Sequence, residues 1–494
     1  MLNFNIGVKS PQGRQLVAPF SMSVHENEKI AIIGEEGNGK SLFLKALLNH
    51  PSLDTLEVTR SVSSKVLFGY VSQDIAAEDL LRSSRDYIIE DQWERYESFG
   101  SVHQDLLPHF TDDDFDRPLQ SLSGGERVRI QLMKILVQDV DVFLLDEPTN
   151  DLDIETLMWL ESWILRQNKP ILYISHDVKL LKNTANRIVH FEQTHRKTRS
   201  HITVFEGSYD DYVETRNLEI ATHNHQVERD QAARAKRYDR WLQLYQTVEH
   251  RQRTQTRQDP AKGRLLKKKM KTIKSMERRF DRETHETKID TESAISIRFD
   301  NQEKVHRKKI AEIDVDTLEV AGKTLGYNFY LDIYTPDKIA IIGRNGIGKS
   351  SLLKQVFKDH DAMMHQDYRL NLDFEKSPID NCVREGSREE RGLITNRLGS
   401  LKFTETEMNT PMRLLSGGQK AKVSLLKLVL QKPQFIILDE PTRNLSPLSV
   451  HEIYSMLQGF QGAILCVTHD RSLIENVFDT VIVMTEDGFE PVSE

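Results

Sequence analysis

LSGGERVRIQLMKILVQDVDVFLLDEPTNDLD, residues 122–153, decides the fold. It joins three chemical parts in one run: a Gly-rich helix start at Ser123, Gly124 and Gly125, an apolar strand over 142–145, and the carboxylate pair Asp146 and Glu147. The stretch returns as LLSGGQKAKVSLLKLVLQKPQFIILDEPTRNLS, residues 414–446. Self-similarity on this scale means two copies of one structural unit on one chain.

Working outward, each copy carries the same ordered set. The first has GEEGNGKS at 34–41, Gln73, LSGGE, LLDEP and SHD at 175–177; the second has GRNGIGKS at 343–350, Gln366, LSGGQ, ILDEP and THD at 468–470. Gln73 to Gln366, Ser123 to Ser416, Asp146 to Asp439 and His176 to His469 each differ by 293, whereas Lys40 to Lys349 differs by 309. The second copy therefore lacks a net 16 residues (309 − 293) between Lys349 and Gln366. That predicts a trimmed β-hairpin or strand pair.

Residues 21–33 alternate and then run apolar into GEEGNGKS, and SLFLKALL follows with helical spacing. Strand, Gly-rich loop and helix form the context that a phosphate-binding loop requires. Gly34, Gly37 and Gly39 let backbone amides turn inward, and the helix N-terminus adds a positive dipole end. Lys40 is placed to meet β- and γ-phosphates, and Ser41 to hold Mg²⁺. Asn38 completes the loop. Glu35 and Glu36 are unusual beside phosphates and are expected to point outward. Gly343, Arg344, Asn345, Gly346, Ile347, Gly348, Lys349 and Ser350 repeat the loop. Gln73 ends a strand-like VLFGYVSQ and, with Gln366, is read as a metal- and water-sensing residue.

Ser123, Gly124, Gly125 and Glu126, and likewise Ser416, Gly417, Gly418 and Gln419, open helices with an anion-binding geometry. In a single copy, an ordinary capped helix would look the same. Asp146 and Asp439 suit water-mediated Mg²⁺ binding. Glu147, one residue later on the opposite side of an extended chain, suits polarising an attacking water. His176, at another strand end, can contact a γ-phosphate and orient the water.

The chain has 494 residues and a net charge of −8. That length is enough for two or more full cores. Cys382 and Cys466 are far apart in sequence, which argues against a disulfide framework or zinc site and fits a reducing, cytoplasmic setting. The N-terminus has no signal-peptide core, and no apolar run approaches the roughly 18–20 residues needed to span a bilayer. A membrane role would need a separate partner.

From 216 to 310, strand-like runs vanish and polar helical patterns replace them. Asp259-Pro260 with Gly263 is the strong break. It predicts a hairpin with helices over 213–255 and 264–310 and a tip at 256–263. The expected organisation is thus an α/β domain over 1–212, a helical linker over 213–310 and a second α/β domain over 311–494, with no further domain after THD. Basic residues crowd the tip, including Arg251, Arg253, Arg257, Lys262, Arg264, Lys267, Lys268, Lys269, Lys271, Lys274, Arg278, Arg279 and Arg282. Either this is a solvated linker, or a basic tip on an acidic chain steers to a polyanion such as RNA.

The five ordered motifs, with the signature Ser 23 residues before the strand-end Asp in both copies, resemble the ATPase domains of ABC proteins. Two such domains, a basic helical linker of about a hundred residues and the preceding FEGSYDDY resemble the F subfamily, ABC-F. The resemblance implies two P-loop ABC-type ATPase domains, with ATP and Mg²⁺ as cofactors. The domains would pair head to tail within a monomer. One nucleotide would lie between 34–41 and 416–419, the other between 343–350 and 123–126. Glu147 and Glu440 would be general bases, and His176 and His469 γ-phosphate contacts. It further implies a ribosome partner, through rRNA and tRNA, with the linker reaching toward the peptidyl-transferase region in translation or antibiotic resistance by ribosome protection. The ATP-hydrolysing subunit of an ABC membrane transporter is the alternative, though its linker should be short. A DNA-repair ATPase would place its coiled coil inside one domain. The D-loops differ, NDLD at 150–153 against RNLS at 443–446, so the two sites need not turn over equally. No aromatic residue upstream of Gly34 is assigned to stack on adenine.

Overall fold

The computed structural model describes residues 2–62, 65–90, 96–150, 152–193, 199–253, 260–280, 299, 306–320, 322–357 and 362–491. The chain forms two compact units, Met1–Tyr212 with Glu292–Glu494, and Val213–Thr291.

The first copy contributes β1 (Leu2–Lys9), β2 (Gln15–Val24), β3 (Lys29–Ile33), β4 (Glu57–Val62), β5 (Phe68–Val71), β6 (Val142–Asp146), β7 (Ile171–Ile174), β8 (Arg187–Gln193) and β9 (Arg199–Glu206). Six of them form a sheet ordered β5-β6-β7-β3-β8-β9, parallel except for the β8–β9 pair. β3, β6 and β7 are buried along their whole length. Short unbroken apolar runs of this kind are what a parallel strand covered on both faces requires. The second copy repeats the plan with β10 (Lys309–Val320), β11 (Lys323–Tyr334), β12 (Lys338–Ile342), β13 (Met363–Met364), β14 (Phe435–Asp439), β15 (Ala463–Val467), β16 (Thr480–Thr485) and β17 (Gly488–Pro491). Its sheet runs β13-β14-β15-β12-β16-β17. β10 opens at Lys309, just before the expected domain start at 311.

The copies differ beside these sheets. β4 makes a three-stranded sheet with β1 and β2, whereas β10 and β11 pair alone. No counterpart of β4 lies between Lys349 and Gln366 among the described residues, where the sequence is 16 residues shorter.

Strand order positions the chemistry. β5, β6, β7 and β3 are neighbours. Their carboxyl ends lead to Gln73, to Asp146 and Glu147, to His176, and to the 34–41 loop. β13, β14, β15 and β12 do the same for Gln366, Asp439 and Glu440, His469, and the 343–350 loop. Ligands of open α/β sheets bind beyond these carboxyl edges.

In the second unit, the helix Tyr209–Arg253, which begins in the first unit, and the helix Pro260–Phe280 meet through Trp241, Val248, Leu266 and Ile273. Leu266, Met270 and Ile273 recur at helical spacing, giving one apolar stripe. Trp241 Nε1 donates to the Ile273 carbonyl at 2.9 Å. Arg264, Lys267, Lys268, Lys269, Lys271, Lys274 and Arg278 are exposed. Pro260 already stands at the first helical position, which suits proline because that amide has no intrahelical partner. Arg257 and Asp259 of the expected tip, and Arg282 beyond the second helix, lie outside the described residues. Among the described residues no helix is long and apolar enough to cross a membrane.

Candidate active site

Each phosphate loop is held from below. Phe43, on the helix Lys40–Leu48, packs its ring 5.6 Å from Phe4 and 5.5 Å from Phe191. This fixes the helix whose first residues are Lys40 and Ser41. Gly34 sits at φ +141°, where an added Cβ would stand 2.3 Å from the Phe191 carbonyl oxygen, so only glycine fits. Lys40 Nζ donates to the carbonyls of Gly34 (2.8 Å) and Glu35 (3.0 Å). Lys349 does the same with Gly343 (2.7 Å) and Arg344 (2.9 Å). Burial lowers the pKa of both ammonium groups.

The strand-end acids meet these loops. Ser41 Oγ donates to Asp146 Oδ1 and Ser350 Oγ to Asp439 Oδ1, each at 2.9 Å. Burial raises the pKa of both carboxyls. Their second oxygens differ. Tyr70 donates to Asp146 Oδ2 at 2.9 Å, whereas Asp439 Oδ2 is buried without a hydrogen-bond partner. Met363 occupies the position equivalent to Tyr70. Gln73 is exposed, while Gln366 is half-buried and lines a cavity.

Glu147 and Glu440 are not extended, as the alternation of a strand would have them. Both adopt φ +52°, and each amide donates across to the neighbouring strand, Glu147 to Ile174 (3.1 Å) and Glu440 to Val467 (2.9 Å). A left-handed non-glycine residue costs about 1–3 kcal/mol and persists where its surroundings over-determine it. Glu147 accepts from His176 Nε2 (3.3 Å) and Asn150 Nδ2 (2.6 Å). Burial alone would raise its carboxyl, but His176, Lys40 and Asn150 overcome this and hold it at about 2. Burial, reinforced by the Asp439 charge, pushes Glu440 up to about 8. His469 lies 3.8 Å from Glu440, and burial with nearby Lys349 pushes it down to about 4. His176 Nδ1 bonds the Leu445 carbonyl of the second copy at 2.7 Å; His469 Nδ1 is buried without a partner.

The two copies face each other head to tail. A cavity of about 660 Å³ is lined by Gly124 from the first copy and by Asn345, Gly346, Gly348, Lys349, Ser350, Glu440 and His469 from the second. A smaller one, about 230 Å³, is lined by Glu35, Glu36, Gly37 and Asn38 with Ser416, Gly418 and Gln419. Both signature helices carry capping boxes. Glu126 N donates to Ser123 Oγ and Ser123 N to the Glu126 carboxylate; Ser416 and Gln419 repeat the exchange. Glu35 and Glu36 do not point outward. Glu36 Oε2 accepts from the Gly418 amide at 2.8 Å, and Glu35 pairs with Lys422 at 3.0 Å.

The larger cavity also has walls that sequence reasoning missed: Val320 and Lys323 at the ends of β10 and β11, and Leu325. Their signal is positional, a hairpin directly before the phosphate-loop strand. Asp439 Oδ2, orphaned beside a serine hydroxyl, fits a divalent cation at Ser350 and Asp439. Mg²⁺ takes one or two protein oxygens plus phosphates and water, and Ser350 Oγ and Asp439, 2.9 Å apart, are two such groups.

The sequence matches the ABC transporter family over residues 17–150 and 327–443, just over half the chain. It is 28% identical to the ATP-binding protein Uup of Haemophilus influenzae, over 96% of this chain and 77% of that protein. It is 27% identical to the ribosome protection protein VmlR of Bacillus subtilis, over 95% and 84%. With the ABC transporter F family member 5 of Arabidopsis thaliana it shares 26% identity over 97% and 74%. Among solved structures, RNase-L Inhibitor has a similar fold, with a TM-score of 0.59 and 15% identity over 98% of this chain and 90% of that one.

Proposed function

This chain belongs to the ABC transporter family as an ATPase with tandem domains of the F type, and on that premise we propose that it associates with the ribosome, binding with its domains closed on ATP and releasing on hydrolysis. The observation that carries the reading is similarity to a ribosome protection protein along 95% of the chain, joined to seven exposed cations on Pro260–Phe280. A basic helix face meets the backbone and shape of RNA without reading its sequence.

In this reading Lys40 and Lys349 leave their loop carbonyls for the β- and γ-phosphates. Ser41 with Asp146, and Ser350 with Asp439, would hold Mg²⁺, which supplies charge neutralisation on the phosphates when bound. Gln366 stands beside its pair; Gln73 must turn inward to serve the other. Glu147 and Glu440 orient and polarise water, and His176 and His469 position the acids and contact the γ-phosphate. Each cavity takes a phosphate loop from one copy and a signature helix from the other, so nucleotide occupancy is coupled to domain pairing. The role in translation or in antibiotic protection, and the approach of the linker to tRNA, belong to the same reading.

The test is sedimentation of the Glu147→Gln, Glu440→Gln double variant with ribosomes, with and without ATP. ATP-dependent co-sedimentation supports the reading, and reversing Lys267, Lys268, Lys271 and Lys274 should then weaken binding and flatten its salt dependence by roughly one logarithmic unit per lost phosphate contact. No association at physiological salt refutes it. Co-purification with a membrane protein would favour the transporter-subunit reading instead.

A further inference from the structure

The helix Gly417–Leu430 begins with amides that its own cap does not all use. Ser416 Oγ takes the Gln419 amide (3.3 Å), and Gln419 Oε1 takes the Ser416 amide (3.0 Å). Of the amides that this exchange leaves over, Gly418's is occupied by Glu36 of the opposite phosphate loop at 2.8 Å. One turn on, Lys422, whose side chain is 9% exposed, pairs with Glu35 at 3.0 Å. A carboxylate is a chemical surrogate for a phosphate oxygen at a helix N-terminus. Both carboxylates also act electrostatically on Lys40, so the anionic pair lies within the field of the lysine that meets phosphate.

The other copy lacks the device. Arg344 and Asn345 replace Glu35 and Glu36, and Arg129 replaces Lys422. Arg129 instead bonds the Leu106 carbonyl at 3.3 Å and lies 4.4 Å over the Trp159 ring. The cavity with the carboxylates is about 230 Å³, the one without them about 660 Å³.

We propose that Glu36 is a resident competitor for the terminal phosphate at the first nucleotide site, with Glu35–Lys422 as its anchor. A nucleoside triphosphate must displace Glu36 from Gly418, whereas a diphosphate does not reach that amide. The first site thereby discriminates weakly between the two, and its domain contact persists without a γ-phosphate. This rests on residues 34–41 and 416–419 forming one nucleotide site.

The experiment uses the full chain with Lys349→Ala, which confines high-affinity binding to the first site. Calorimetry then measures a non-hydrolysable ATP analogue and ADP with the parent loop, with Glu36→Gln and with Glu36→Asn. Loss of a hydrogen bond to a charged group corresponds to roughly a tenfold change or more. The analogue should therefore bind about tenfold tighter to both variants, while ADP changes less than about twofold. An unchanged analogue-to-ADP ratio in both variants overturns the proposal. If neither nucleotide binds any of these chains, and Lys40→Ala changes nothing, the nucleotide-site reading itself fails and takes the proposal with it. Glu36→Gln keeps the side-chain shape, so a fold defect confined to Glu36→Asn leaves the measurement decisive.

Discussion

Arg471 offers the sharpest test of domain pairing. Its guanidinium, 8% exposed, lies 2.8 Å from Glu161 and 3.5 Å from Asp177 of the other copy. At an effective dielectric near 20, those separations correspond to attractions of about 6 and about 5 kcal/mol. Desolvation of three charges offsets most of that, so the pair's net worth is small. Arg471→Met is different, because it leaves two carboxylates buried without their cation, a loss of about 3–5 kcal/mol. Glu161 keeps its bond from Asn183 and Asp177 keeps its cap on Leu180, which favours the lower end, about 3 kcal/mol. Opening the domains rehydrates both acids, so the penalty falls on the closed form and lowers the closing constant by roughly two decades. The assay is energy transfer between dyes on one exposed position in each copy, such as Glu57 and Asp487, titrated with a non-hydrolysable ATP analogue. Cys382 and Cys466 are buried and spare the labelling. Glu161→Gln added to Arg471→Met should recover about half the loss. Closing curves that superimpose within threefold, or a coupling energy below about 0.5 kcal/mol in the double-mutant cycle, refute the reasoning.

Gly34→Ala should lower the melting temperature by about 10 °C, since the Cβ meets the Phe191 carbonyl at 2.3 Å and the backbone must move, a loss of at least about 3 kcal/mol. Gly37→Ala, at φ +82° with nothing within 4 Å, should cost only the left-handed penalty of about 1 kcal/mol and 2–4 °C; equal shifts would contradict the packing argument. Trp241→Phe removes the donor to Ile273 O and should weaken the helical pair by about 1–2 kcal/mol, read as faster amide exchange over 213–280; unchanged protection would show that the bond contributes nothing.

What was legible in the sequence was local and repeated. β6 and β14 are unbroken apolar runs ending in acid, and both are fully buried as that pattern demands. The signature helices begin where expected, after Ser123 and Ser416, and the structure adds that Glu126 and Gln419 close capping boxes there. What was hidden depends on distance or backbone strain. Glu36 meets Gly418, and Glu35 meets Lys422, across more than 380 residues; no window of sequence holds both partners. Glu147 turns to φ +52° just past the end of β6 while its amide still donates to the Ile174 carbonyl of the adjacent strand, a turn that the apolar run before it does not signal. Tyr70, and not Gln73, reaches Asp146, since a strand residue one pleat back points at the acid while Gln73 lies beyond the strand end.

The duplication keeps the chemistry common to both copies in the strands and changes what surrounds it. Ser41–Asp146 and Ser350–Asp439 match at 2.9 Å, and both glutamates share φ +52°. Around them the substitutions fall on contacts that cross the domain interface or cap an acid: Tyr70 for Met363, Glu36 for Asn345, Lys422 for Arg129, Arg471 for Val178. Tyr70 caps an acid of its own copy, whereas Glu36, Lys422 and Arg471 are charged groups whose partners lie on the facing surface. A homodimer could not carry them, because every change would appear at both sites. On one chain, one site can be filled by the protein's own carboxylate while the other stays shaped for nucleotide. Under the proposal for Glu36, domain pairing need not wait for both sites to bind ATP, and occupancy of the site lined by Lys349 and Glu440 would set whether the pair stays closed.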